Sequence, residues 1–121
     1  MPWTYSQSTG KISLNGAVVG IGYSGHGEGL NNPAMQNKSQ VGPLPQGNYT
    51  IGPAFTHPEK GPIVMRLRPK PGNNMFGRSG FLIHGDNQAM NHSASNGCII
   101  LSKPYRKTIS ASEDRDLIVA A

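Results

Sequence analysis

The sequence predicts a single mainly β domain over residues 1–121, a compact sandwich or barrel with one short helix near the C-terminus. The chain contains 16 Gly and 10 Pro among 121 residues, a composition that favours many turns and disfavours long helices. Its apolar residues fall into short runs that are separated by turn-forming residues. With 36% hydrophobic and 14% charged residues, the chain is too apolar to be disordered and is long enough for one core.

The first half of the chain predicts four strands and one long loop. Residues 3–14 have the pattern of a β-hairpin, and a third strand follows over 17–23. Residues 24–47 are rich in Gly, Asn, Pro and Ser and show no periodicity. A loop of this length in a small domain is usually functional. A fourth strand is predicted over 47–51.

The next strand is predicted from alternation over residues 62–67. Ile63 and Met65 fall on one face of this strand, and Val64 and Arg66 fall on the other. The alternation therefore predicts that Val64 shares a face with the charged residues.

The second half also predicts two short apolar strands, the single helix and a final strand. The apolar strands lie over 81–84 and 98–101. Ser102 is placed to cap the helix, and Pro104 lies in its first turn. The last strand is predicted over 117–119.

The charge of the chain favours an anionic partner. The net charge is +5 and the pI is about 9.7, which suits a nucleic acid, an acidic membrane surface or a carboxylate-rich polymer. The basic residues are scattered, so a dedicated nucleic-acid face is disfavoured. No apolar run approaches the roughly 20 residues of a membrane span, and the first residues lack the regions of a signal peptide. We expect a monomer that is made in the cytoplasm and does not insert into membranes.

Cys98 is the only cysteine in the chain, so an internal disulfide is excluded. A lone cysteine can be an inert core thiol, a metal ligand or a nucleophile. A nucleophilic thiol needs a base such as an imidazole. His84 ends one apolar run and Cys98 begins another, so the two are neighbours if those strands pair. The residues alone support an inert thiol and a nucleophile about equally. Paired spacings typical of zinc sites are absent from the sequence, so no metal or other cofactor is expected.

Residues around the two groups suggest supporting roles. The imidazole needs an acceptor for its second nitrogen, which either the Asp86 side chain or the Gly85 carbonyl can supply. Gly97 allows a close approach of the backbone, so that the amides of residues 97 and 98 can face an oxyanion. The Ser95 hydroxyl can stabilise this turn.

Residues 81–86 (FLIHGD) followed by 95–99 (SNGCI) resemble the active-site signature of L,D-transpeptidases, which attack cell-wall peptides with a cysteine. The resemblance is closer to a short branch found among type VI secretion effectors. It extends over further blocks in the same order, namely residues 23–26, 31–33, 42–51 and 75–80. Several ordered blocks that cover most of the chain are more specific than a Cys and a His alone.

This resemblance implies an L,D-transpeptidase-like fold with Cys98 as the nucleophile, His84 as the base and the Gly85 carbonyl as the group that orients the imidazole. It implies attack on the amide between meso-diaminopimelate and the terminal D-alanine of a peptidoglycan tetrapeptide stem. Water as acceptor gives carboxypeptidase activity, an amine gives a cross-link, and a free D-amino acid gives exchange. It also implies an antibacterial toxin that acts in the periplasm of a target bacterium, with an immunity protein and a secretion-machine component as partners.

The sequence departs from the broader signature at two positions. Asn96 stands where many members have a second histidine, and Ile100 stands where many have an arginine. Arg78 is the expected replacement for that arginine because its side chain has a long reach. His26 is expected to line the substrate site, whereas His57 and His92 are expected to have no catalytic role. The full set of predicted substrate-binding residues is Arg78, Ser95, Asn96, Gly97, His26 and Asp86.

Two other functions remain open at this point. A non-catalytic cell-wall-binding domain would use the basic surface to hold the polymer and leave the thiol inert. A general cysteine peptidase would turn over ordinary L-peptides.

Overall fold

The computed structural model describes residues 2–86 and 95–121. Within these ranges the strands are β1 (Trp3–Ser6), β2 (Lys11–Leu14), β3 (Ala17–Ile21), β4 (Tyr23–Ser24), β5 (Gly47–Ile51), β6 (Phe55–His57), β7 (Gly61–Pro69), β8 (Leu82–His84), β9 (Ile99–Ile100) and β10 (Asp116–Ala120). The α-helix α1 (Lys103–Ala111) and two short 3-10 helices, Gly27–Gly29 and Pro33–Met35, complete the described elements. The predicted mainly β fold with one helix near the C-terminus is confirmed.

The strands form one sheet that curls almost into a barrel. Its order is β3-β2-β1-β10-β5-β7-β8-β9-β4, with β6 paired to β7. The two end strands of this path, β3 and β4, follow each other along the chain with only Gly22 between them. Because adjacent residues cannot lie far apart, the two ends of the sheet must meet at Gly22.

Gly22 is held between two backbone segments at this junction. Its amide donates to the Gly10 carbonyl at 2.8 Å. A Cβ added to Gly22 would lie 1.9 Å from the carbonyl oxygen of Ile100. Only glycine fits there, so the closed shape of the sheet depends on a missing side chain.

The core fills the inside of the curled sheet. The predicted first hairpin is confirmed by the pairing of β1 with β2, and β10 then pairs with β1 in parallel. Trp3, Tyr5 and Tyr49 are at most 1% exposed. Burial of three large aromatic rings in one cluster is a major source of stability in a chain of this size.

Strand β7 keeps the predicted alternation from Val64 onward. Met65 and Leu67 belong to the core cluster, and Arg66 is exposed. Val64 is fully buried but lies outside that cluster, so burial at this position does not mean that the side chain faces the core. Ile63 departs from extended strand geometry, with a φ of 57°. A positive φ is unusual and strained for a β-branched residue. Strand β6, which pairs with this part of β7, was not predicted because residues 55–57 are too few to show a pattern.

Helix α1 packs across the barrel. Ser102 occupies its N-cap, as predicted, but the Ser102 side chain makes no capping hydrogen bond. Ile109 is buried in the core, and the Tyr105 ring lies so close to Gly20 that a Cβ there would be 2.5 Å from it. Within the described ranges, no helix has the length and apolarity needed to cross a bilayer.

We expect Gly22→Ala to destabilise the fold by about 1–3 kcal/mol, because the new methyl meets a backbone carbonyl that cannot move aside alone. Urea unfolding followed by circular dichroism measures this change. Gly52→Ala is the matched control, because a Cβ at Gly52 makes an ordinary contact of 3.4 Å with the Arg66 carbonyl. Equal stability of the two variants would contradict the described closure of the sheet.

Candidate active site

The parallel pair β8–β9 places His84 and Cys98 on neighbouring strands. Its register places Ile83 opposite Ile99 and His84 opposite Ile100. Cys98 lies two positions before Ile100, so its side chain projects to the same face as His84. The Leu82 amide donates to the Cys98 sulfur at 3.3 Å. The sequence made His84 and Cys98 neighbours only if these two strands pair, and the structure shows that they do.

The orientation of His84 is set by its own strand end. Its Nδ1 donates to the Gly85 carbonyl at 2.7 Å. A carbonyl can only accept, so Nδ1 carries the hydrogen and Nε2 is left with a lone pair. Of the two acceptors considered from the sequence, Gly85 is the one in contact, while Asp86 is exposed and accepts from the Tyr23 hydroxyl at 2.7 Å.

Burial keeps both reacting groups neutral at rest. His84 is 1% exposed, and burial lowers the pKa of its imidazole, with further lowering by the charges of Lys60, Arg106 and His57 against a raising effect of the Gly85 carbonyl. Burial also raises the pKa of the Cys98 thiol, although the Leu82 amide and nearby cations oppose this. Both directions favour a thiol beside a neutral imidazole rather than a preformed ion pair.

The segment of residues 95–98, which we term the nucleophile turn, has every carbonyl bonded to a side chain. Ser95 O accepts from His26 Nδ1 at 2.8 Å, and Asn96 O accepts from Arg78 Nη2 at 3.1 Å. Gly97 O accepts from Ser24 Oγ at 3.1 Å. Cys98 O accepts from Ser95 Oγ at 2.6 Å. Such a fully bonded turn holds the thiol in one position.

The Ser95 hydroxyl is the centre of this network. Besides its donation to Cys98 O, its oxygen accepts from the Gly25 amide at 2.8 Å and from the Gly97 amide at 3.1 Å. The Gly97 amide is therefore not available as an oxyanion donor, which corrects the expectation from the sequence. Of the two amides expected to face an oxyanion, that of Cys98 does not donate to the Ser95 hydroxyl.

Gly97 is required by close packing. Its φ is 133°, and an added Cβ would lie 2.5 Å from Arg78 Nη2 and 2.6 Å from the Phe81 ring. The Arg78 guanidinium lies over that ring at 5.2 Å from its centroid. The turn thus rests directly on an arginine and an aromatic ring.

Arg78 does not present its terminal donors to a ligand. Nη1 donates to the carbonyls of Gln36 and Pro43 at 2.6 and 2.8 Å, and Nη2 donates to those of Gly42 and Asn96 at 3.0 and 3.1 Å. All four terminal N–H groups are used, and the residue is 7% exposed. Its predicted role as a substrate-carboxylate ligand is therefore not supported; instead it ties the long loop to the nucleophile turn.

The remaining predicted residues fall in different places. His26 supports the nucleophile turn through Nδ1, so its role is structural in this geometry. Asn96 is exposed at the rim of the site. His57 lies at a hairpin tip, where its Nδ1 accepts from two backbone amides. His92 lies outside the described residues.

The thiol opens onto a cleft of about 330 Å³. The wall of this cleft is formed by Ser39, Gln40, Gly77, Arg78, Ser79, Gly80, Phe81, Asn96 and Cys98. A cleft with a thiol in its wall, together with a buried imidazole on the neighbouring strand, suits attack on a bound acyl group. Within residues 2–86 and 95–121, no three His, Cys, Asp or Glu side chains cluster as metal ligands do.

One site residue escaped sequence reasoning. Arg106 of α1 donates through Nε to the Leu101 carbonyl at 3.0 Å, and through Nη1 to the carbonyls of Pro62 and Ile63 at 2.7 and 3.1 Å. A Cβ on Gly85 would lie 2.8 Å from its Nη2. Arg106 therefore binds the carbonyl of the strained Ile63 and packs against Gly85, whose carbonyl orients His84. Arg106 lies three residues before the core residue Ile109, and this helical spacing could have indicated that Arg106 faces the sheet.

Comparison with known proteins supports the same class. Residues 20–117 match the model of the Tlde1 domain. An L,D-transpeptidase from Mycobacterium smegmatis has a similar fold, with a TM-score of 0.51 and 19% identity over 98% of this chain. The match covers 58% of that protein's chain. No curated protein matches significantly. The resemblance found in the sequence is confirmed at the level of family and fold.

We expect Ser95→Ala to lower the free energy of unfolding by about 1–3 kcal/mol, because two amides and one carbonyl lose their buried partner. Urea denaturation measures the loss. Ser79→Ala is the control, because Ser79 is exposed. A variant as stable as the control would show that the network carries no stability.

We expect the Cys98 thiol to be largely protonated at neutral pH, so that only a small thiolate fraction reacts. Because burial raises the pKa of Cys98, its rate of alkylation by iodoacetamide should keep rising above pH 8.5, the usual pKa of a free thiol being about 8.5. The same protein in urea should level off near that value. Mass spectrometry of timed samples gives the rates, and a plateau already at neutral pH would indicate a preformed ion pair.

Proposed function

The chain belongs to the Tlde1 domain family, and on that basis we propose that it modifies peptidoglycan as an L,D-transpeptidase or L,D-carboxypeptidase. The proposed substrate is the tetrapeptide stem, and the proposed nucleophile is Cys98. The observation that supports this proposal is the register of β8 and β9, in which His84 and Cys98 share one face of neighbouring strands while Cys98 lines a cleft.

The proposed first step is attack by the Cys98 sulfur on the carbonyl carbon of the amide before the terminal D-alanine. His84 Nε2 takes the thiol proton as the S–C bond forms. The Nδ1 bond to Gly85 supports this, because it keeps the proton-accepting nitrogen fixed. The Cys98 amide is the candidate donor to the oxyanion.

Collapse of the tetrahedral intermediate breaks the C–N bond. The imidazolium returns its proton to the leaving amine, and D-alanine departs while a thioester remains on Cys98. An acceptor then attacks the thioester, with His84 again taking a proton. Water gives a shortened stem, whereas an amine gives a cross-link or an exchanged terminal residue.

The neutral resting pair is compatible with this sequence of steps. Burial lowers the pKa of His84 and raises that of Cys98, so charge separation costs free energy until a substrate is present. Proton transfer is then coupled to the attack rather than completed before it. The free enzyme therefore holds little thiolate for side reactions.

We further propose an antibacterial effector that acts in the periplasm of a competitor, with an immunity protein and a secretion-machine component as partners. The resemblance to the type VI effector branch and the family match support this proposal. The tetrapeptide stems of a competitor are the donors that such an enzyme would remove or cap.

Incubation with purified tetrapeptide muropeptides tests the activity. We expect loss of D-alanine with the wild-type protein and a fall on the order of 10³-fold or more with Cys98→Ala, because the nucleophile is removed. His84→Gln should lower the rate by roughly 10²–10⁴-fold. Mass spectrometry of the muropeptides gives the product, and thermal unfolding checks that the variants fold.

Two outcomes would favour the other functions. No release of D-alanine, together with sacculus binding that Cys98→Ala leaves unchanged, would indicate a binding domain. Equal turnover of stems that contain only L-residues would indicate a general cysteine peptidase.

A further inference from the structure

The candidate site lacks an evident ligand for the negative charge of its proposed substrate. A tetrapeptide stem carries free carboxylates close to the scissile amide. Ile100, which stands where many related sequences have an arginine, is 2% exposed and pairs with both Tyr23 and His84 in the sheet. A cation that binds the stem must therefore come from another element.

Three lysine or arginine side chains lie close enough to act on His84 or Cys98. Lys60 and Arg106 influence the imidazole, and Lys60 and Arg78 influence the thiol. Arg78 has all four terminal N–H groups on backbone carbonyls. Arg106 is 7% exposed and bonds three carbonyls. Arg78 cannot turn to a ligand without leaving buried carbonyls unbonded. Arg106 is held by its three bonds with its Nη2 packed against Gly85, so little of its guanidinium is accessible to a ligand.

Lys60 differs from both arginines. It is exposed, and within residues 2–86 and 95–121 its ammonium has no ion-pair partner. It is also the cation of the three that acts on both the imidazole and the thiol. Of these three cations, Lys60 is the one whose donors are exposed to a ligand in solution.

The sheet register explains the position of Lys60. Strand β7 runs antiparallel to β8, with Met65 opposite Ile83. The chain before Val64 therefore extends past the end of β8 at which His84 lies. That part of the chain is the hairpin tip, residues 57–61, which joins β6 to β7. The tip thus lies next to the His84 end of the site.

The hairpin tip is built to hold its shape. His57 Nδ1 accepts from the amides of Glu59 and Lys60 at 3.1 Å each. Gly61 completes the turn with a φ of 86°. At the base of the tip, Arg106 binds the carbonyls of Pro62 and the strained Ile63. A lysine on such a fixed turn loses less freedom on binding than one on a loose loop.

We propose that Lys60 binds a carboxylate of the donor stem beside the scissile amide, in the place that an arginine from β9 would otherwise serve. The chemical class of ligand is a peptide carboxylate, either that of the terminal D-alanine or the free carboxylate of diaminopimelate. The assignment rests on the proposed function for the identity of the stem, but not for the presence of a carboxylate subsite near Cys98.

Recognition, rather than activation of the thiol, is the role that fits. A positive charge at Lys60 lowers the pKa of both the thiol and the imidazole. It therefore favours the thiolate but disfavours the imidazolium. These two effects oppose each other in transfer of the proton from Cys98 to His84, so the benefit of the charge lies in substrate binding.

The first test uses the thiol as a reporter and needs no peptidoglycan activity. Iodoacetate and iodoacetamide both alkylate Cys98 with loss of iodide, but only iodoacetate carries a carboxylate. We expect the ratio of the iodoacetate rate to the iodoacetamide rate to fall roughly two- to fivefold in Lys60→Gln, as for loss of an exposed ion pair. Lys60→Arg should retain the ratio. Lys11→Gln on β2 is the control, because it removes an exposed lysine whose charge is not among those that act on His84 or Cys98.

The second test uses tetrapeptide stems in which one carboxylate at a time is converted to an amide. Amidation of the bound carboxylate should lower kcat/KM for the wild type by roughly threefold to tenfold, mainly through KM. The same amidation should have little effect on Lys60→Gln. One amidated stem should therefore lower kcat/KM for the wild type but not for Lys60→Gln, and the carboxylate that was amidated in that stem is the one that Lys60 binds.

The outcomes separate the two proposals. If the wild type does not act on any stem, the proposed function fails, and the alkylation ratio still decides the role of Lys60. If the wild type acts on stems but Lys60→Gln shows the wild-type alkylation ratio or the wild-type amidation penalties, the carboxylate subsite is wrong and the proposed function stands.

Discussion

The candidate site depends on the hydrogen bonds of four consecutive carbonyls. Each carbonyl of residues 95–98 accepts a hydrogen bond from a side chain. The donors come from three separate parts of the chain: the long loop, the segment before β8, and the turn itself. An unbonded buried carbonyl would cost free energy comparable to a lost hydrogen bond. The thiol is therefore held in place by a network whose members are polar side chains rather than apolar contacts.

Closure of the sheet makes that network possible. The long loop leaves β4, and β4 pairs with β9 immediately after the nucleophile turn. Because Gly22 lets β3 pass directly into β4, the loop begins next to the turn that it must support. Arg78 then binds the far end of the loop and the turn with one guanidinium. Loss of the closure would separate the donors from the carbonyls.

The electrostatic design of the site follows from burial. His84 and Cys98 are both shifted toward their neutral forms, and two of the three nearby cations are bonded to backbone carbonyls. A buried guanidinium can crosslink backbone segments, because it stays protonated and its several N–H groups can donate to different carbonyls at once. The exposed charge of Lys60 is then the one left to meet an anionic ligand.

The sequence by itself indicated the fold class, the strands with clear apolar runs, and His84 and Cys98 as candidate site residues, because short runs, turns and ordered motifs are local signals. The hydrogen-bond partners of polar side chains could not be predicted, because they lie far away along the chain. From the sequence, Arg78 was expected to bind a substrate carboxylate because its side chain is long and charged. In the structure its terminal N–H groups donate to backbone carbonyls, three of them in the long loop. The alternation over residues 62–67 could not show that Ile63 adopts a positive φ, because tertiary contacts with Arg106 hold it there. Hydrogen bonds between distant segments are fixed only when the chain closes, so the tertiary structure decided that Arg78 and Arg106 bind backbone carbonyls whereas Lys60 is exposed.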